Sequence, residues 1–279
     1  MTEMMKRFAL FSLLLLPAAA VTAQPDVPVE QWSGKTILFI GAHPDDDSRS
    51  HGTLSLLNAN GNDVHVMLLT LGNVGTKDPD LSMIELAKIR RQEEVNALGQ
   101  LGIPEQNYIN LGYDDGRLEY ADREELIERI VFHIRRLRPN VVVAFDPGQG
   151  EQRWHKSDHR AAAYIAADAA RAAEWPLLYT GHLVNHGMDA YQIEEYLFYD
   201  TDDADTWVDI TGHVENKSNA GAQYVSQWGP EGQNKYYPTL TAEQEAEARE
   251  RIRSRILERD GTPVEAFRYH KGVPDAIGR

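Results

Sequence analysis

The sequence predicts an α/β protein: a mostly parallel sheet with helices on both faces, followed by a C-terminal extension. Three observations carry this. Residues 35–41 (KTILFIG), 63–71 (DVHVMLLTL) and 140–145 (NVVVAF) are apolar runs of the kind that form buried strands. Helical patterns at 50–60, 81–101, 123–137 and 158–173 alternate with them. The 279 residues are 42% hydrophobic and 25% charged, an ordinary globular composition with enough chain for a core.

Taken in order, the chain opens with Lys6 and Arg7, the apolar run 8–21, and the small residues of Val21-Thr22-Ala23. This reads as a signal peptide over 1–23, so the mature protein is expected to be exported, periplasmic or secreted, with no membrane span after cleavage. An uncleaved anchor is the competing reading, although the run is short for a bilayer. Residues 25–34 lead into the first strand. In the helix at 81–101, Leu86, Ile89, Glu93 and Ala97 share a face, and Pro104 and Pro139 follow the last turns of two helices. After residue 175 the pattern shortens to strands at 194–199 and 206–210 and a helix near 215–227. A Gly/Pro/Tyr-rich loop at 229–238 and a charged helix at 241–260 close the chain. Residues 24–279 are read as one domain, with a core at about 35–227 and a C-terminal loop and helix at 228–279.

Composition excludes several function classes. There is no cysteine, which removes disulfides, thiolate metal sites and cysteine nucleophiles. A net charge of −15 argues against a nucleic-acid partner. No G-x-G-x-x-G follows the first strand, which disfavours a dinucleotide enzyme.

The first strand runs directly into Gly41-Ala42-His43-Pro44-Asp45-Asp46-Asp47. Open α/β sheets bind ligands at the carboxyl ends of their strands. A histidine and three carboxylates in five residues repel one another unless a cation sits among them, and His nitrogen with Asp oxygen suits zinc. A solvated acidic loop with a satisfied histidine is the competing reading. A second cluster, Trp154-His155-Lys156-Ser157-Asp158-His159, follows the 140–145 strand. On a helix His155 and His159 would share a face; alternatively Ser157 caps that helix and only His159 lies inside it. The remaining histidines are expected in core or surface positions, with His182 and His186 held in reserve.

The strand-AHPDDD segment resembles the A-H-P-D-D-E signature of the PIG-L/LmbE-like zinc-dependent de-N-acetylases. TLGNVG at 70–75, the helix at 85–102, LGYDDG at 111–116, SDHRA at 157–161 and residues 217–227 follow in family order. The resemblance implies a Rossmann-like fold, one Zn²⁺ per chain on His43, Asp46 and His159, and Asp45 as general base. It also places Arg90 and Asp115 among substrate-binding residues, and His155 and Asp158 in the catalytic set. The sequence departs from the family at three points. Asp47 stands for the usual Glu, the H-x-D-H motif is one residue longer so that Lys156 takes the counted position of the first His, and Tyr224 replaces a late His.

The implied reaction is hydrolysis of an N-acetyl group, with Asp45 accepting the proton of water, His155 or Lys156 facing the oxyanion, and Asp158 supporting the imidazole. With an export signal, the expected substrate is an N-acetylated envelope or environmental sugar; Trp154 and the loop at 228–237 offer aromatic faces to stack on it, with ordinary packing of a C-terminal loop as the competing reading. Hydrolysis of another acyl bond, and a non-catalytic carbohydrate-binding role, are the rivals.

Overall fold

The computed structural model describes residues 24–148 and 156–272. The leader at 1–23, Trp154 and His155 lie outside them.

Each half of the fold starts from a buried strand. β1 (Thr36–Gly41) leads through α1 (His51–Ala59) to β2 (Asp63–Thr70), and α2 (Met83–Gln100) leads on to β3 (Tyr108–Tyr113). α3 (Arg123–Leu137) returns the chain to β4 (Val141–Phe145), which α4 (Ser157–Ala173) and the short α5 (Gly181–His186) connect to β5 (Glu195–Tyr199). Then come β6 (Thr206–Asp209), α6 (Val214–Gly221), α7 (Val225–Trp228), α8 (Ala242–Arg253), β7 (Leu257–Arg259) and β8 (Thr262–Lys271). The sheet order is β3-β2-β1-β4-β5-β8-β6, with β7 paired to β8. β1 to β5 pair in parallel, whereas β8 runs antiparallel to its three neighbours.

The apolar runs explain the centre. Ile37, Leu38, Phe39 and Ile40 of β1 and Val141–Phe145 of β4 are all buried, as strands covered on both faces require. Local chemistry sets the helix starts: Ser82 and Glu85 form a capping box on α2, and Asp122 accepts from the Glu125 N–H at 3.1 Å to cap α3. Strand order reverses between β1 and β4, so right-handed crossovers put α1 and α2 on one face and α3 and α4 on the other. The carboxyl ends of β1 and β4 therefore flank the topological switch point, where ligands of such sheets bind.

Three parts of the sequence reading change. β3 is an edge strand with mixed exposure and carries no apolar run. The helix expected at 241–260 ends at Arg253, and the extension continues into β7 and β8, which complete the sheet. Glu265 and Arg268 break the apolar pattern of β8, yet both are buried because distant partners neutralise them. Lys217 Nζ lies 2.6 Å from Glu265, and Arg268 donates to both oxygens of Asp146 at 2.6 and 3.0 Å. Glu265 also accepts from the Gly52 and Thr53 N–H groups at 2.9 and 2.8 Å, filling the N-terminal capping position of α1 from across the fold. The helix expected near 215–227 is two helices, α6 and α7, separated by a turn.

Candidate active site

Gly41 lets the loop after β1 double back. A Cβ at that position would lie 3.0 Å from the Asp46 Cβ and 2.9 Å from the Phe39 ring, so only glycine admits Asp46 beneath the strand end. Asp46 Oδ2 accepts from the Ala42 and His43 N–H groups, each at 2.7 Å. Its Oδ1 lies 3.2 Å from His159 Nε2. His159 comes from the first turn of α4 and stacks on Phe145, with ring centroids 4.4 Å apart. One potential ligand atom from each of His43, Asp46 and His159 falls within 4.8 Å of the others.

The donor set fits a divalent cation: two imidazoles and a carboxylate, each held by its own packing or backbone bonds. His43 Nε2 also faces Asp115 at 3.0 Å and Asp158 at 3.3 Å. Burial pushes the imidazole of His43 down, but its bonds to Asp115, Asp158 and Asp46 outweigh this and raise it well above the usual range. Burial likewise opposes ionisation of Asp46, and His159 and His43 overcome it, holding the carboxyl well below its usual value. Negative charge is what this cluster has in excess, as a cation site should.

Asp45 sits beside the cluster with φ of 106°, a left-handed conformation that costs a non-glycine residue of order 1–3 kcal/mol. Two neighbours maintain it. The Asp45 N–H donates to Glu94 Oε2 at 3.1 Å, and Arg90 Nη2 lies 2.9 Å from Asp45 Oδ2. Arg90 is itself buried and donates to the Pro44 carbonyl, so its charge is committed to the loop as well as to the cavity it lines. Burial raises the Asp45 carboxyl to about 6 despite Arg90, with Asp46 adding to the shift.

The remaining expected residues divide. Asp115 lines the cavity, and its N–H donates to Asn73 Oδ1 at 3.0 Å. Asp158 is buried, and its described partners are His43 and the N–H groups of Gly116 and Leu118, at 2.6 and 3.2 Å from the latter two. It thereby holds the Asp115 loop against His43. Ser157 is the first residue of α4, and the N-terminal capping position is Lys156, which lines the cavity. The helix therefore starts at Ser157, which does not cap it, and the reading that pairs His155 with His159 on one face falls outside the described residues. His182 and His186 lie on α5, where His182 packs against Arg135 and Glu128.

Two departures from the family signature meet. The Tyr224 hydroxyl oxygen lies 2.9 Å from Asp47 Oδ1 and 3.0 Å from Glu94 Oε2, and His51 Nε2 lies 2.9 Å from Asp47 Oδ2. All four side chains are buried behind Asp45, so Tyr224 supports the loop and does not line the cavity. Sequence reasoning missed Glu94, as well as the cavity residues Arg49 and Asp200. The late motif and the loop at 228–237 both pointed towards that wall, where Gln227, Trp228 and Gln233 line the cavity. The cavity holds about 300 Å³.

Comparison with known proteins adds an independent line. Residues 38–170 match the PIG-L family model, described as GlcNAc-PI de-N-acetylase. The chain is 33% identical over 195 residues to the diacetylchitobiose deacetylase of Thermococcus kodakarensis, a match covering 70% of each chain. It is 29% identical to the 1D-myo-inositol 2-acetamido-2-deoxy-alpha-D-glucopyranoside deacetylase 1 of Catenulispora acidiphila, covering 75% of this chain and 81% of the other. Among solved structures, the inhibitor-bound N,N'-diacetylchitobiose deacetylase of Pyrococcus horikoshii superposes with a TM-score of 0.70 at 27% identity, over 85% of this chain and 84% of that one. A 4-carboxy-2-hydroxymuconate hydratase from Pseudomonas putida shares the fold at a TM-score of 0.62 and 17% identity, over 88% of this chain and 98% of that one. The same fold thus serves another chemistry, and function must be argued from the site.

Proposed function

This chain belongs to the PIG-L family of de-N-acetylases and is an N-deacetylase; from that premise we propose that it is an exported, zinc-dependent enzyme acting on N-acetylated amino sugars. The observation that carries this reading is the convergence of His43, Asp46 and His159 at the switch point, with Asp45 adjacent and the 300 Å³ cavity above. The sugar class is supported by relatives named for N-acetylated sugars, and by Trp228, Gln227 and Asp115 in the cavity wall. The reading of residues 1–23 as a signal peptide supports action outside the cytoplasm.

A zinc ion held by His43, Asp46 and His159 supplies Lewis acidity towards the amide carbonyl and lowers the pKa of water. Asp45 accepts the proton as water attacks the amide carbon, and returns it to the departing nitrogen, yielding acetate and a free amine. Arg90 and Glu94 hold Asp45 aimed at the cavity during both transfers. His155 or Lys156 donates to the oxygen that becomes negative.

The test is elemental analysis of purified protein, with acetate release measured on a panel of N-acetylated sugars and other acylated compounds. We expect about one zinc per chain, and stoichiometric acetate and amine from at least one sugar. His159→Ala should bind no metal. Turnover confined to O-acyl or non-sugar amides, or full activity after removal of metal by a chelator, would defeat the proposal. Fractionation and N-terminal sequencing test the location: a mature chain beginning near Gln24 outside the cytoplasm is the expected result.

A further inference from the structure

A histidine that binds a metal is usually oriented by a hydrogen bond from its second ring nitrogen to a carboxylate or a carbonyl. His43 has such support, with Asp115 and Asp158 at 3.0 and 3.3 Å from Nε2 and Asp46 at 3.5 Å from Nδ1. His159 does not. Its Nε2 lies 3.2 Å from Asp46 Oδ1, and among the described residues no hydrogen bond reaches its Nδ1. An imidazole free to turn about its Cβ–Cγ bond loses that freedom on binding an ion, which weakens the site. The plane of this ring must be set in another way.

The sheet supplies a flat wall for it. Phe145 and Tyr199 end β4 and β5 and are paired in register, so both side chains leave the sheet on one face. Ring centroids follow one another at 5.0 Å from Phe39 to Tyr199, 4.4 Å from Tyr199 to Phe145 and 4.4 Å from Phe145 to His159. The first and last pairs are close to parallel, at 20° and 24°, as offset-stacked rings are. His43, the other ring beside His159, meets it at 52° and offers no parallel face. Phe39, Tyr199 and Phe145 are all buried, so this column cannot tilt without opening the core. The Tyr199 hydroxyl is buried and has no hydrogen-bond partner among the described residues. What Tyr199 contributes to the column is therefore its ring.

We propose that Phe145, backed by Tyr199 and Phe39, is the positioning residue for His159: a stacked aromatic column, in place of a hydrogen bond, fixes the imidazole plane for metal binding. The inference rests on the reading of His159 as a metal ligand. Zinc dissociation constants from chelator competition test it without reference to turnover. Phe145→Leu keeps an apolar filling but removes the flat face, and should weaken zinc binding about 10–100-fold, the range for lost orienting partners of metal ligands. Tyr199→Leu should act in the same direction and more weakly, whereas Tyr199→Phe keeps the ring and should stay within about twofold of the unaltered protein. Because Tyr199 acts through Phe145, the double leucine variant should bind zinc no more weakly than Phe145→Leu alone. Thermal unfolding of the metal-free proteins separates a packing role, which lowers stability and leaves zinc affinity unmoved. Unchanged zinc affinity in both leucine variants, equal losses in Tyr199→Phe and Tyr199→Leu, or additive losses in the double variant overturns the column and leaves the metal site intact. If Phe145→Leu does not fold, the contrast between Tyr199→Leu and Tyr199→Phe decides. Failure of the unaltered protein to bind zinc, or full zinc affinity in His159→Ala, overturns the metal reading and the column together.

Discussion

Asp45 carries three restraints: a left-handed backbone, an N–H bonded to Glu94 and a carboxylate paired with Arg90. Burial places its titration at about 6, close enough to neutrality for proton transfer in both directions. Asp45→Asn should keep the metal and the fold, because the amide can still accept from Arg90, yet lose about 10²–10⁴ in kcat. Near-normal turnover in zinc-loaded Asp45→Asn would remove Asp45 from the base role. The oxyanion donor is tested by ranking two variants. We expect His155→Ala to lower kcat by about 10²–10³ and Lys156→Ala to matter little, since neutral imidazole sits beside zinc without repulsion. Lys156 lines the cavity, so the reverse ranking reassigns the role to it. At this scale the His43, Asp45 and Asp46 cluster was legible because adjacent residues at a strand end declare themselves. Glu94 was not: it comes from α2, forty-nine positions beyond Asp45, and only packing brings its oxygen to the Asp45 N–H.

Between elements, the loop after β1 is braced by the turn before α7. The shorter Asp47 and the longer Tyr224 occupy positions where the family signature carries Glu and His, and they meet at 2.9 Å. A shorter acid and a longer partner together span the gap. Restoring one family residue alone leaves either crowding or an unfilled buried bond, each costing about 1–3 kcal/mol. Asp47→Glu and Tyr224→His should therefore each destabilise the protein, and the double variant should recover part of the loss. Urea unfolding of the four proteins gives the coupling energy, expected between about 0.5 and 3 kcal/mol. Strict additivity would show that the two changes are independent. The sequence displayed both departures but placed them 177 residues apart, with nothing to join them.

Across the whole molecule, buried carboxyls make stability depend on pH. Burial raises Glu93 to about 7 from 4.5, opposed by the bonds it accepts from the Ser226 N–H and hydroxyl at 2.7 and 2.6 Å. The folded state thus keeps a proton that the unfolded chain has released. The associated stability is complete below about pH 4.5 and is lost as pH rises through about 7. In a chelator, unfolding free energy should fall between pH 5 and 8, with Glu93 contributing of order 1–3 kcal/mol. Glu93→Gln keeps both Ser226 contacts and should flatten the slope by that share; Asp45 and Glu94, also raised by burial, and His43, raised by its carboxylate partners, contribute to the remainder. An unchanged slope would show that Glu93 is ionised in the folded protein. The sequence by itself determined the parallel core, its helices and the strand ends that carry the two clusters, because apolar periodicity and capping are local properties of the chain. Only the tertiary structure decided that β8 enters the sheet, that Glu265 caps α1 and that Tyr224 stands behind Asp45. Each of these depends on a buried charge or hydroxyl whose partner is distant in sequence, and local patterning reads such a residue as exposed.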